Sequence, residues 1–275
     1  MEPGIFTKIF PRPDFAEVFD AVRGHGLRQV QLIMQPDGDE ALLDEIPASL
    51  IEVIRAESDR TGVHIPAVSG IYNMAHPDAA FRRDGLERLR KVIAVAPLLG
   101  ATGITLCTGT RDPENMWRWH PENDSTEAWN DLVESLDIAL DDAQRHGVIL
   151  AFEPEPGNLV NSIDRAGRLL DQMDHPNLGV TLDGANIVMT DMARNPVEVL
   201  DRAFARFGDK IAIVHAKDCN AAGEMVPAGG GIVPWSHLAQ LLRQTGFDGP
   251  LILHSLNEDE VADAANAINL AIESA

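Results

Sequence analysis

Residues 211–218 read Ile-Ala-Ile-Val-His-Ala-Lys-Asp, an apolar run that leads into His215, Lys217 and Asp218. A second run, Leu-Ile-Leu-His at 251–254, has the same form. Strands that are buried on both faces are almost continuously apolar, and such strands are typical of parallel sheets covered by helices. The two stretches therefore predict buried parallel strands that carry polar groups at their carboxyl ends.

Six further β-like runs precede these two, which makes eight in all. The runs lie at 5–10, 29–34, 63–69, 103–108, 148–153, 179–183, 211–215 and 251–254. Helical patterns separate them, for example Leu86, Leu89, Val92 and Ile93, and glycines such as Gly62 and Gly147 mark helix ends. Eight consecutive βα units over residues 1–275 predict one α/β domain, a single (β/α)8 TIM barrel with its active site at the C-terminal face of the strands.

An open doubly wound sheet is the alternative architecture. It would place a Gly-rich dinucleotide turn after the first strand, but that turn reads Ile9-Phe10-Pro11-Arg12-Pro13. Two long irregular stretches, 109–123 and 218–234, follow the fourth and seventh predicted strands. Both fall on the C-terminal face of a barrel, where long loops are usually functional.

The charge balance limits the class of partner. The chain has 22 Lys and Arg against 43 Asp and Glu, a formal net charge of -21. Nucleic-acid affinity comes mainly from cations that neutralise phosphates, so nucleic acid and anionic membranes are poor candidates. A small-molecule substrate that is neutral or weakly charged fits this surface better.

Two features of the sequence indicate the cellular compartment of the protein. Cys107 and Cys219 are too few and too far apart for a disulfide framework. The first residues, Met-Glu-Pro-Gly, show no leader pattern, and no apolar run approaches the ~20 residues of a membrane-spanning helix. These observations predict a cytoplasmic, reducing environment.

Polar side chains close four successive predicted strands. Strand five ends at Glu153, with Glu155 two residues later, strand six at Asp183, strand seven at His215 and strand eight at His254. Because the carboxyl ends of barrel strands converge on one mouth, carboxylates and imidazoles meet there. This donor set suits one divalent metal ion, Mn²⁺ first, with Mg²⁺, Co²⁺ or Zn²⁺ as alternatives. An N-cap role for Asp183 and a core position for His215 are the structural alternatives.

The segments Glu153-Pro154-Glu155-Pro156-Gly157, Leu182-Asp183 and His215-Ala216-Lys217-Asp218, with a Gly-rich turn before Trp235, resemble the xylose isomerase-like barrel superfamily. This superfamily contains sugar and sugar-phosphate isomerases and epimerases, and the resemblance covers nearly the whole chain. It implies that Glu153, Asp183 and His215 bind the metal. A glutamate after strand eight is the usual fourth ligand, and the two glutamates move the proton in epimerases.

Two positions depart from the family pattern. His254 stands where the family usually has Glu, and Asn186 stands where many members have a His that contacts substrate. Histidine can replace Glu as a ligand, but it is not an equivalent second base. Asn186 can hydrogen-bond a substrate hydroxyl without charge. Both departures leave the metal site predicted and weaken the case for epimerisation by two bases.

The mechanism implied by the resemblance is proton transfer next to a carbonyl, through an enediolate. A metal polarises the carbonyl and stabilises the developing negative charge. Glu153 is both ligand and candidate base, and Glu155 is a further catalytic candidate because alternation along a strand would place it on the same side. Lys217 is the third catalytic candidate, since it could stabilise an oxyanion or pair with Asp218.

Substrate contacts are expected from Asn186 and from the loops at the mouth. Trp117 lies in the loop after strand four, near Arg111, and could stack on a sugar ring or cover the loop. Asn73 follows strand three and would reach the same mouth. The run 229–231 of three glycines could form a backbone nest for an anion or the hinge of a lid.

The sequence is compatible with three functions. The leading one is a metal-dependent isomerase or epimerase of a sugar, keto-sugar or polyol. A sugar-acid or inosose dehydratase would begin with the same proton removal, and a non-catalytic sugar-binding barrel would keep the ligands without the second base. Oligomers are common among such barrels, so a homo-oligomer is allowed, but no interface is evident in the sequence.

Overall fold

Eight parallel strands pair side by side and close into a barrel in the computed structural model, which describes residues 1–275. Each strand pairs with the next along the barrel, and the last pairs with the first. The barrel strands are β1 (Pro3–Phe6), β2 (Gln29–Leu32), β3 (His64–Ser69), β4 (Gly103–Cys107), β5 (Ile149–Glu153), β6 (Leu178–Asp183), β7 (Ile211–Cys219) and β9 (Leu251–Leu253). The closed sheet confirms the (β/α)8 barrel and excludes the open doubly wound sheet.

Helices follow the barrel strands and cover the outside of the sheet. They are α1 (Phe15–Gly24), α2 (Ala48–Thr61), α3 (Ala79–Val95), α4 (Thr126–His146), α5 (Ile163–Met173), α6 (Gly184–Met189), α7 (Pro196–Phe207), α8 (Trp235–Thr245) and α9 (Val261–Glu273). Side-chain caps begin several of them, such as Ser125 for α4. Gly62 and Gly147, with φ of 67° and 69°, end α2 and α4 as predicted. None of these helices has the length and apolar content needed to span a bilayer.

The observed strands differ from the predicted bounds by one or two residues in most cases and by more in the first and the seventh. The first ends at Phe6, because Thr7–Ile9 forms a 3₁₀ turn and Thr7 Oγ1 accepts a hydrogen bond from the Ile33 backbone. The seventh continues to Cys219, where it pairs with the short antiparallel strand β8 (Met225–Pro227) outside the barrel. The extension makes Lys217 and Asp218 strand residues, with side chains on opposite faces.

The barrel interior is a small apolar cluster distinct from the main core between sheet and helices. It consists of Phe6, Ile33, Ala67, Ala151, Ile213 and Ile252. Alternation then decides which polar residues enter the barrel. Because Ile213 faces inward and Val214 and Ala216 belong to the outer core, His215 and Lys217 must also face inward.

Candidate metal and active site

Glu153, Asp183 and His215 converge at the C-terminal end of the barrel. Glu153 ends β5, Asp183 ends β6, and Asp183 lies directly opposite His215 of β7 in the sheet register. The three are buried, and one potential ligand atom from each lies within 4.8 Å of the others. The structure thus brings together the three residues that were predicted as ligands from their positions at strand ends.

The tautomer of His215 follows from its neighbours. His215 Nε2 lies 2.8 Å from Gln31 Oε1, while Gln31 Nε2 donates to Thr105 Oγ1 at 3.1 Å. Because this orientation of the amide presents an oxygen to the imidazole, Nε2 carries the proton and Nδ1 keeps a free lone pair. Gln31 therefore leaves Nδ1 as the ring nitrogen that could bind a cation.

His215 Nδ1 faces a carboxylate oxygen rather than a donor. It lies 3.0 Å from Glu153 Oε2 and has no hydrogen-bond partner in its buried position. Two lone pairs directed at each other at this distance repel unless a cation or a proton lies between them. The arrangement therefore fits a metal ion bound by Glu153 and His215.

Asp183 caps helix α6 with one carboxylate oxygen and directs the other into the site. Its Oδ1 accepts a hydrogen bond from the Asn186 backbone at 2.9 Å and caps α6. Its buried Oδ2 has no hydrogen-bond partner of standard geometry and faces Lys217 Nζ at 2.8 Å. One oxygen is thus used by the fold, and the other remains directed into the site.

Lys217 is the cation of the cluster. Its Nζ lies 3.0 Å from Glu153 Oε1 and 2.8 Å from Asp183 Oδ2, so it pairs with these carboxylates and not with Asp218. Burial disfavours the ammonium, but Asp183 and Glu153 outweigh burial and hold the pKa of Lys217 well above its usual range. Burial likewise opposes ionisation of Glu153, and Lys217 reverses the effect, so the pKa of Glu153 lies well below its usual range.

Glu155 and Asn186 are two further polar residues that lie close to Glu153. Burial, and then the charge of Glu153, raise the pKa of Glu155 to about 8, which places it close to neutral pH, where a carboxyl can exchange protons. Asn186 Nδ2 donates to Glu153 Oε1 at 2.7 Å, while its Oδ1 is buried and has no partner. A donor from a bound molecule, such as a sugar hydroxyl, would satisfy that oxygen.

His254 lies beside this group but is not part of it. Its ring stacks on His215, with 4.7 Å between centroids, and on Phe6, with 4.8 Å. Its Nδ1 lies 2.9 Å from Ser255 Oγ, and burial lowers the pKa of the imidazole well below its usual range. The structure therefore keeps His254 as a neutral ring against His215 and does not bring it into the predicted ligand set.

The Gly-rich stretch 229–231 wraps a carboxylate of the chain itself. Asp218 is fully buried and accepts four hydrogen bonds, from the backbone N–H groups of Cys219, Gly229 and Val233 and from the Trp235 indole. A Cβ at Gly231 would lie 2.3 Å from Asp218 Oδ1, so glycine is required for this close approach. The expected anion nest exists, but Asp218 fills it, and the alternative of a free hinge does not fit.

The loop after β4 uses two of the predicted substrate contacts for its own structure. Arg111 is buried and donates to Asp131 Oδ2 at 2.5 Å and to the Ala75 carbonyl at 3.2 Å. Asn73 Oδ1 accepts from the Thr110 backbone at 2.8 Å, and its Nδ2 donates to the Asp112 carbonyl at 3.3 Å. A substrate contact by either side chain would have to replace these bonds.

Trp117 is more accessible than these two residues. Its side chain is 44% exposed and that of Trp119 is 43% exposed, so neither ring is a buried plug under the loop. The backbone of Trp117 packs against Gly157, in the segment that follows Glu153 and Glu155. An exposed indole close to the mouth leaves Trp117 available for stacking.

Sequence reasoning missed Gln31 and Thr105. Gln31 is fully buried inside the barrel, and Thr105 is its hydrogen-bond acceptor. The available signal was the position of Gln31 inside an apolar strand, where an amide must find partners. Its contact with His215, however, spans 184 positions of sequence.

The comparisons with known proteins agree with this architecture. The family model described as xylose isomerase-like TIM barrel matches residues 19–273. The L-ribulose-5-phosphate 3-epimerase UlaE of Escherichia coli is 29% identical, over 96% of this chain and 91% of its own length.

Two solved structures share the fold. A D-tagatose 3-epimerase-like protein superposes with a TM-score of 0.80 at 20% identity, covering 99% of this chain and 97% of its own. A xylose isomerase-like TIM barrel protein from Mycobacterium smegmatis, in complex with magnesium, gives a TM-score of 0.74 at 19% identity, covering 100% and 96%. At these identities the superpositions establish the fold.

Proposed function

Because the chain belongs to the xylose isomerase-like TIM barrel family, we propose that it is a metal-dependent isomerase or epimerase of a sugar, keto-sugar or related polyol. The reaction is proton transfer at a carbon next to a carbonyl, through an enediolate. The epimerase activity by which the E. coli relative is named supports this assignment. The two buried free thiols are compatible with a cytoplasmic enzyme.

One observation carries the proposal: buried His215 Nδ1 lies 3.0 Å from Glu153 Oε2 and has no hydrogen-bond partner. Together with Asp183 Oδ2, which faces Lys217 and accepts no hydrogen bond of standard geometry, this pair would form a buried slot for one divalent cation, with Mn²⁺ as first choice for a mixed carboxylate and imidazole set. When bound, the metal supplies electrostatic stabilisation for negative charge that develops on the substrate oxygens.

The residues of the chain supply the proton chemistry. Glu155, with its pKa raised to about 8, is suited to take the substrate C–H proton and to return it, to the neighbouring carbon in an isomerase or to the opposite face in an epimerase through a second group. Glu153 is the other carboxylate within the site. Lys217 remains charged and can donate to a substrate oxygen as charge develops there.

His254 bears on which residue acts as the second proton donor. A neutral imidazole stacked on His215 replaces the usual fourth carboxylate. It can donate or accept a proton through its ring nitrogens, but with a different pKa from Glu. We therefore propose that proton return depends on Glu155 more than on the residue after β9, while Lys217 stays charged and stabilises the substrate oxygen.

The test is turnover of a panel of ketoses by protein that has been stripped with a chelator and reloaded with single metals. We expect turnover only after reloading, with Mn²⁺ best, and incorporation of solvent deuterium into the recovered sugars. Equal turnover by metal-free protein would contradict the proposal. A product lighter by one water would indicate a dehydratase, and sugar binding without any product would indicate a binding protein.

A further inference from the structure

A cavity of about 570 Å³ opens next to the candidate site on the C-terminal face of the barrel. The ends of β1 and β9 and the strand β8 line it, with contributions from Phe6, Lys8, Met225, His254, Asn257 and Glu260. Because His254 stacks on His215, this cavity borders the group of predicted metal ligands. A substrate held at that group can extend its far end into the cavity.

We propose that this cavity receives the uncharged, hydroxyl-bearing end of an unphosphorylated sugar, and that sugar phosphates are excluded from it. The inference rests on the proposed function and specifies its substrate class. It depends on the charges around the cavity and on how the chain fills the two places where a barrel usually binds phosphate.

The first of these places is the loop after the seventh barrel strand. In (β/α)8 barrels, phosphate is frequently bound by the loops after strands seven and eight and by the N-terminus of a short helix. In this chain the donors of the first loop, including the Gly229 N–H at 3.1 Å, already bind the Asp218 carboxylate. A phosphate there would have to displace a buried anion that has four donors.

The second place is the N-terminus of the helical segment after β9. Asn257 begins it, and its first turn carries three carboxylates, Glu258, Asp259 and Glu260. Glu260 Oε2 accepts from the Asn257 backbone at 2.7 Å, which completes a capping box. The positive end of the helix is therefore already balanced by acidic side chains, and a phosphate dianion would be repelled.

The basic side chains near the cavity are also paired. Lys8 Nζ lies 2.9 Å from Glu40 Oε2. Arg12 binds both oxygens of Glu258, at 2.7 and 2.8 Å, and lowers the pKa of that carboxyl, which therefore stays ionised. Among the residues that line the cavity, Lys8 carries the one positive charge, whereas Glu258 and Glu260 are both negative. Sugar hydroxyls can hydrogen-bond to such groups, whereas a phosphate would meet excess negative charge.

The experiment compares a ketopentose with its 5-phosphate, L-ribulose and L-ribulose 5-phosphate, on the metal-loaded protein. We expect kcat/KM for the free sugar to be at least about tenfold higher, and calorimetry to show binding of the free sugar but none of inorganic phosphate. Preference for the ester, by turnover or by binding, would overturn the inference. So would failure of the free sugar to bind.

Turnover and calorimetric binding, measured together, distinguish failure of this inference from failure of the proposed function. If the free sugar binds and is not converted, the isomerase or epimerase assignment fails while the substrate class stands. If the ester is converted faster, the enzyme assignment stands and the substrate class is wrong.

A matched pair of variants tests the electrostatic cause. Glu258→Gln removes a carboxylate from the cavity and releases Arg12, so we expect the preference for the free sugar to fall severalfold. Glu273→Gln makes the same change at the exposed far end of α9 and should leave the preference unaltered. An unchanged preference in Glu258→Gln would contradict exclusion by charge.

Discussion

The fold contains buried carboxylates of two kinds, Asp218 on the one hand and Glu153 and Asp183 on the other. They differ in which groups bind their oxygens. Asp218 accepts four hydrogen bonds from N–H groups of its own loop. Glu153 and Asp183 instead each keep one oxygen without a hydrogen bond of standard geometry: Glu153 Oε2 faces the bare Nδ1 of His215, and Asp183 Oδ2 faces Lys217. Burial is similar in the two groups, so burial alone does not distinguish a structural carboxylate from a functional one.

The difference follows from what surrounds each side chain. Asp218 points out of the barrel towards a Gly-rich turn, where backbone N–H groups can approach it closely. Glu153 and Asp183 point into the barrel, where neighbouring strands already use their N–H groups in the sheet. Apart from the Asn186 N–H, which donates to Asp183 Oδ1, the groups that face these oxygens are side chains, and a bound ion could satisfy the rest.

The largest expected effect is that of Glu153→Gln. The neutral amide turns a donor or a weaker acceptor towards the cation slot, so we expect kcat/KM to fall by about 10³-fold, or ~4 kcal/mol. Steady-state kinetics with the metal-loaded variant measures this, and circular dichroism checks the fold. Glu52→Gln, on the exposed face of α2, is the control. Wild-type turnover in Glu153→Gln would remove Glu153 from the site.

Asp218→Asn should affect stability more than metal binding. Its NH₂ group would meet N–H donors on one side, either those of Cys219 and Val233 or those of Gly229 and Trp235. Losing such charge-assisted bonds should lower the free energy of unfolding by about 3 kcal/mol, measured by urea denaturation. The exposed Asp137→Asn should stay within ~0.5 kcal/mol. A stable Asp218→Asn would mean that the loop does not depend on this carboxylate.

The smallest effect concerns the residues that orient His215. Gln31→Leu removes the acceptor for Nε2–H, so the ring loses its fixed tautomer and metal affinity should fall by about 10–100-fold in calorimetry. Thr105→Val acts through Gln31 and should cost less than about tenfold. Gln29→Leu changes the same residue type at the other end of β2, and unchanged affinity is expected there. Equal losses in all three variants would indicate general destabilisation.

Much of this architecture is predictable from the sequence, because buried parallel strands leave a strong apolar signal. The eight runs identify the barrel, and the polar residue that ends each of runs five to seven identifies Glu153, Asp183 and His215. The inward direction of Lys217 was also accessible in principle. It lies two residues after His215, and a strand that continues through it must place both on one face.

The remaining features depend on contacts between distant residues or on atomic detail. The partner of His215 is Gln31, in a strand near the other end of the chain, and nothing in either local segment indicates the pair. The glycines at 229–231 are compatible with a nest or a hinge until the position of Asp218 is known. Likewise, a histidine after β9 is a candidate ligand in the sequence, and its stacking on Phe6 and His215 involves contacts that the local sequence does not indicate.

That stacking gives the site a built-in spectroscopic reporter. The His254 ring packs face to face against Phe6 and His215, at interplanar angles of 17° and 30°. Aromatic ring currents shift the resonances of protons held over a neighbouring ring, so the carbon-bound protons of His254 should resonate away from those of solvent-exposed histidines. Any rotation of the His215 ring when an ion binds would change this shielding, and a magnetic resonance spectrum would record events at the buried cluster without an added label.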